Sequence, residues 1–160
     1  MRSYSVIDNA LLCELAREAR QAPRLRKNRN FHRGDDDPCH RFLNALEPGT
    51  YVQPHRHLDA GKDETIIGIS GRIGVLIFSE DGQVETARIL APGSGTLGIH
   101  IPTGVYHSVV ALESGAVFFE SKAGPYMPVS DEERASWAPK EGELGSKKYL
   151  ALLQAQFQPK

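Results

Sequence analysis

The spacing of apolar residues changes period along the chain, and those changes mark out its parts. From Asp8, the residues Leu11, Leu12, Leu15 and Ala19 recur at helical spacing. Asp8 or Asn9 can cap the first free amides and Pro23 cannot continue a helix, so a helix is predicted over 8–22. Its single apolar stripe needs a surface to cover. From His40 the period becomes two, the signature of strands. HRFLNALEPGTYVQPHRH predicts a strand, a turn at Glu47 to Gly49, and a second strand running into His55 and His57. DETIIGISGRIGVLIF predicts two strands broken at Ser70-Gly71. With Glu64 facing inward, Ile66 and Gly68 share its face, while Ile67 and Ile69 point outward. Asp81-Gly82 is a hairpin signal, and ESGAVFFESKAG predicts a last hairpin centred on Val117 to Phe119.

Short strands at this spacing predict an all-β antiparallel sandwich or barrel over 40–122. After Lys122 the alternation is lost, and 123–160 predicts a tail wrapped on the barrel. Trp137 is its anchor, and a closing helix is capped by Ser146 with Tyr149, Leu152, Leu153 and Phe157 on its apolar side. Between the first helix and the barrel lies PRLRKNRNFH, where Arg24, Arg26, Lys27 and Arg29 alternate with Leu25 and Phe31. That pattern reads as a solvated strand edge, and His32 beside it as exposed or locally hydrogen-bonded. The acidic turn Gly34 to Pro38 lacks the remaining ligand positions of a calcium loop.

A chain of 160 residues fits one domain, here 1–160, able to bury about two-thirds of its unfolded surface. A net charge of −1 argues against a protein built to hold nucleic acid. The two cysteines, Cys13 and Cys39, lack Cys-x-x-Cys spacing and read as reduced thiols, Cys39 semi-buried at a strand start. No apolar run approaches the ~18 residues that cross a bilayer, and the N-terminus lacks a signal-peptide pattern. The expectation is a cytoplasmic protein with no membrane partner. Outward Ile67 and Ile69 need a cover, from the first helix or a second copy, which favours a homodimer.

Candidate chemistry gathers in the centre of the chain. His55 and His57 lie two apart, and so point to one face of a strand. Glu64 follows seven residues later, and His107 closes a Pro-x-Gly-x-x-His turn. Imidazole and carboxylate are ligands for zinc and first-row transition metals, and a β-barrel is a frame rigid enough to converge them. The four residues predict a site for one divalent ion: Mn, Fe, Ni or Zn.

These motifs resemble a known superfamily. Gly49, His55, His57, Glu64 and Gly71 are similar to the first cupin motif, and Pro102, Gly104 and His107 to the second. The resemblance implies a double-stranded β-helix (jelly-roll) barrel with a metal on His55, His57, Glu64 and His107. Two departures stand out. Six residues separate His57 from Glu64 where three or four are usual, so Asp59 or Asp63 competes for the ligand role, and Ala111 replaces the asparagine that often ends the second motif. More narrowly, PRLRKNRNFH, RFLNALEPGTYVQPHRH, Gly124 to Tyr126 and SWAPKEG resemble the WbuC family of cupin-fold metalloproteins. That family is associated with bacterial O-antigen and surface-polysaccharide gene clusters.

Four protein ligands on a six-coordinate ion leave two positions open. One reading is therefore an enzyme acting on a small polar molecule, a sugar or sugar nucleotide, with Arg24, Arg26 or Lys122 holding an anionic group. The other is a non-catalytic sugar-binding or metal-stabilised cupin. An oxygenase or isomerase of another small molecule shares the same ligand set. Asn44, Lys122 and Tyr126 are the candidate pocket residues.

Overall fold

The computed structural model describes residues 4–158. Helix α1 spans Asn9–Gln21, and Asp8 caps it by accepting from the Leu11 amide at 3.0 Å. Eight strands follow: β1 (Arg26–Asn30), β2 (Cys39–Leu46), β3 (Glu64–Ser70), β4 (Ile73–Phe78), β5 (Val84–Leu90), β6 (Gly98–Ile101), β7 (Tyr106–Ala111) and β8 (Ala116–Ala123). Helix α2 covers Ser146–Ala155. The strands form two antiparallel sheets, ordered β1-β2-β8-β3-β6 and β5-β4-β7. They face one another as a sandwich, and no hydrogen-bonded ring closes them into a barrel among the described residues.

Burial explains the sequence pattern. Leu46, Ile66, Ile101 and Phe118 from the larger sheet meet Ile73, Val75, Leu90 and Val109 from the smaller one. Strand β4 is apolar on both faces because its outer side is covered too. Leu76, Phe78 and Val110 pack there against Ala135, Ala138, Leu150 and Leu153 of the tail and α2. Gly74 makes room for this packing: a Cβ there would lie 2.5 Å from the Phe157 ring. On the opposite side α1 sets Leu12, Leu15 and Ala19 against Leu43, Ala45 and Val117, and half-buried Ile69 joins that cluster. The helix thus supplies the cover for Ile69, while Ile67 stays exposed.

Several expectations change. Strand pairing begins at Arg26, ahead of the predicted barrel start at 40, because β1 joins the edge of the larger sheet through β2. The run from Tyr51 to His57 is not a regular strand. Pro54 has no N–H to donate, and the tail lies alongside: the Arg56 amide donates to Glu133 O, and the Ala135 amide to Pro54 O. The predicted last hairpin is absent as well. β7 pairs with β4 while β8 lies between β2 and β3, so the turn between them crosses from one sheet to the other. Buried Glu47 fixes that crossover by accepting from Ser114 Oγ and the Gly115 amide. Helix α2 is capped by Gly145; Ser146 lies inside it, donating to Glu143 O, and Leu152 faces outward. Cys39 does start β2, but it is exposed.

Candidate metal centre

The site forms where the two sheets meet at one end. His55 makes a two-way bridge to His107 at the start of β7: each backbone amide donates to the other's carbonyl, at 3.0 and 2.9 Å. His57 is held next to them, its carbonyl accepting from the Gly104 amide at 2.8 Å. Gly104 sits at φ +86°, a conformation that favours glycine, which accounts for the Pro-x-Gly turn before His107. The imidazole nitrogens of His55, His57 and His107 converge so that one ligand atom from each lies within 4.8 Å of the others.

Glu64 comes from the facing sheet, as the first residue of β3 and the cross-strand partner of Lys122. It is 4% exposed, with its carboxylate 2.6 Å from His107 Nε2 and 3.4 Å from His57 Nε2. The six-residue spacer before it bows outward instead of displacing it. Asp63 Oδ1 accepts from the amide and hydroxyl of Thr103, both at 2.9 Å, and Asp59 pairs with Lys62. Neither competitor carboxylate is therefore free to replace Glu64.

Hydrogen bonding leaves this cluster one cation short. His55 Nδ1 donates to Gln53 O at 3.0 Å, and His107 Nδ1 to Val105 O at 2.9 Å. Carbonyl oxygens only accept, so both Nδ1 atoms carry protons and both Nε2 atoms are left as ligands. On His107 that leaves a lone pair aimed at a carboxylate 2.6 Å away, which repels unless a proton or metal ion intervenes. His57 Nε2 is buried with no hydrogen-bond partner, an orphan of the kind a metal ion satisfies.

The electrostatics agree. Burial and the neighbouring His107 push His55 down to about 3, so it is neutral. Burial would raise Glu64, but the hydrogen bond and charge of His107, with His57 and Lys122, outweigh it and hold the carboxylate well below its usual range. Burial would lower His107, yet the Glu64 hydrogen bond and charge raise it. The donor set thus fits a divalent ion: a neutral His55, a His107 whose Nε2 proton a cation can replace, and one ionised carboxylate.

An inner cavity of about 160 Å³ opens from His55, Glu64 and His107. Asn44 and Lys122 line it, as does Glu120, which sequence reasoning missed. The available signal was the alternation on β8, where Phe118, Glu120 and Lys122 share one face (Phe118 in the core), so a carboxylate there points inward. Lys122 Nζ lies 2.7 Å from Glu120 and 3.5 Å from Glu64, and Asn44 donates to Glu120 at 2.9 Å. Burial, partly offset by Lys122, pushes Glu120 up to about 7. Tyr126 lines an adjoining outer cavity instead. Arg24 and Arg26 do not offer a free anion site: both grip Glu141 of the tail, and Arg26 also donates to Thr50 Oγ1 and Tyr51 O.

The chain belongs to a family described as a domain of unknown function (DUF6016), whose model matches residues 7–90. No curated protein matches the sequence. KdgF from Halomonas sp. is a similar solved structure, with 19% identity, 66% of this chain and 84% of that chain covered, and a TM-score of 0.51. The conserved SPY1581 protein of unknown function from Streptococcus pyogenes is 15% identical over 79% of this chain and 93% of that one, at a TM-score of 0.50. Oxalate decarboxylase from Bacillus subtilis is 26% identical over 60% of this chain, at a TM-score of 0.45; the chain spans 23% of that protein. KdgF and oxalate decarboxylase are cupins, and the likeness to KdgF identifies the fold here as cupin-like. Among the described residues no helix is long and apolar enough to cross a membrane.

Proposed function

We propose that this member of the DUF6016 family holds one divalent transition metal on His55, His57, Glu64 and His107, and binds and acts on a sugar or sugar nucleotide beside it. The observation that carries the metal half is His107 Nε2 facing the Glu64 carboxylate at 2.6 Å, a contact that needs a proton or a metal ion between the two, with His57 Nε2 buried and unpartnered alongside. Mn, Fe, Ni and Zn all accept such a ligand set. The chemistry an ion supplies there is Lewis-acid polarisation of a ligand oxygen.

The chain's own residues do the rest. Asn44, Glu120 and Lys122 line the cavity beyond the histidines and offer donors, an acceptor and a charge to hydroxyl groups. Glu120, with its pKa pushed up to about 7, can take or return a proton near neutrality. Ile66, Val109 and Phe118 close the far wall against water. The resemblance of PRLRKNRNFH and SWAPKEG to the WbuC family supports a place in bacterial surface-polysaccharide metabolism, in a cytoplasmic homodimer.

Metal analysis of protein purified without a nickel column, followed by incubation with nucleotide-sugars and free sugars, tests the reading. About one ion per chain and turnover are expected. Absence of bound metal after reconstitution overturns the centre. Stoichiometric metal and sugar binding without product favours the second reading, a non-catalytic sugar-binding cupin, which the same cavity supports.

A further inference from the structure

Resting on that reading, we infer that the site has a second, outer compartment, and that its ligand is a neutral saccharide of at least two units rather than a nucleotide sugar. The inner cavity at the metal ligands is about 160 Å³, below the ~300 Å³ at which small-molecule pockets usually begin. It does not stand alone. An outer cavity of about 370 Å³ shares the Asn28, Asn44, Glu120 and Lys122 walls with it, so the two form one passage from the metal to the surface.

Strand β1 builds the passage floor. Arg26, Asn28 and Asn30 lie two apart on one face of that strand; the first two line the inner cavity, and the last two the outer one. Among the described residues neither the Asn28 nor the Asn30 side chain hydrogen-bonds to the protein, in contrast to Asn44, which Glu120 occupies. Two idle carboxamides at strand spacing offer paired donors and acceptors, which suits vicinal hydroxyls. Flat rings wall the outer compartment: His40 stacks on His32 at 4.1 Å, and Phe42 meets His32 edge-on. His40 and Phe42 are buried and His32 half-buried, so His32 is the ring with surface to offer the C–H side of a pyranose.

Charge decides between the two sugar classes. Among the described residues the only lysine or arginine side chains lining the two cavities are Arg26 and Lys122. Arg26 is bound to Glu141, and Lys122 to Glu120 and Glu64. Asp35 and Glu120 also line the outer compartment. In the outer compartment a diphosphate would meet no cation free of a carboxylate partner, whereas a neutral glycan needs none there. The ion lies at the other end of the passage, beyond the Asn44, Glu120 and Lys122 walls.

The test uses the metal-loaded full chain and two-dimensional amide NMR. It is titrated separately with galactose and N-acetylglucosamine, their β-linked disaccharides, and UDP-galactose. The expected result is that a disaccharide shifts the side-chain amide signals of Asn28 and Asn30 and binds tighter than either monosaccharide. Asn28→Ala combined with Asn30→Ala should then weaken the disaccharide roughly tenfold and the monosaccharide less, because of the two only Asn28 also lines the inner cavity, with metal content unchanged. Tighter binding of UDP-galactose than of the disaccharides, or disaccharide binding that the double variant leaves intact, overturns the outer compartment while the metal-side sugar reading stands. If no sugar or nucleotide sugar perturbs any cavity residue, both readings fall.

Discussion

Loading the site with metal should expel a proton, and that proton should come from His107. In the metal-free protein its Nδ1 faces the Val105 carbonyl at 2.9 Å and its Nε2 faces Glu64 at 2.6 Å; two acceptors require two N–H groups. The raised pKa of His107 makes that doubly protonated form persist towards neutrality. Glu64 and His55 have nothing to release: Glu64 is held well below its usual range, and His55 is pushed down to about 3. One proton displaced per ion means an apparent metal affinity that rises about tenfold per pH unit below the His107 pKa, and levels off above it. Calorimetric titration with Zn²⁺ or Mn²⁺ in two buffers of different ionisation enthalpy, between about pH 6.5 and 7.5, counts the proton directly; an unperturbed imidazole titrates near 6.5. Glu64→Gln removes the carboxylate that raises His107, so release near neutrality should shrink in that variant. Stoichiometric binding with no proton release and no pH dependence across this window would refute the reasoning. A slope near two would show that a second ligand starts protonated, contrary to the environments of His55 and Glu64.

Other outcomes follow from the same contacts. His55→Ala or His107→Ala should abolish stoichiometric metal after reconstitution, measured by elemental analysis; full occupancy in the double variant would remove both residues from the site. In the metal-free protein the His107–Glu64 pair should make stability fall as pH rises through the raised His107 pKa, because the contribution is fully present only below the ordinary imidazole value. Saturating metal should erase that decline in thermal melts; identical pH profiles with and without metal would count against it. Gly74→Leu forces a side chain where the Phe157 ring lies 2.5 Å from the Cβ position, and should cost about 1–3 kcal/mol in chemical denaturation. Truncating Phe157 to Ala in the same chain should recover part of that loss. Glu141→Ala leaves Arg24 and half-buried Arg26 without their shared carboxylate, and should lower stability by about 1 kcal/mol after allowance for the exposure of Arg24 and Glu141; no change in melting would show the tail docks without it.

The sequence alone determined the parts whose signals are local. Period-two alternation, the glycine and proline turns and the Asp8 cap depend on near neighbours, and they placed α1, β3, β4 and the β4–β5 hairpin. The histidine cluster was legible because residue type and spacing carry its chemistry. What stayed illegible was set by contacts between distant segments. Pairing of β8 with β2 and β3 instead of β7 depends on which sheet each strand can reach after the crossover. Arg24 and Arg26 read as a solvated edge because their partner, Glu141, lies more than a hundred residues away. Asn28, Asn30 and Glu120 became pocket residues only when β1, β2 and β8 lay side by side in one sheet. Tertiary structure also decided that Glu64 reaches the histidines across its long spacer, because Thr103 and the tail hold that loop outward while β3 fixes Glu64 opposite Lys122. Local spacing can nominate ligands, but only packing brings their atoms within a metal's reach.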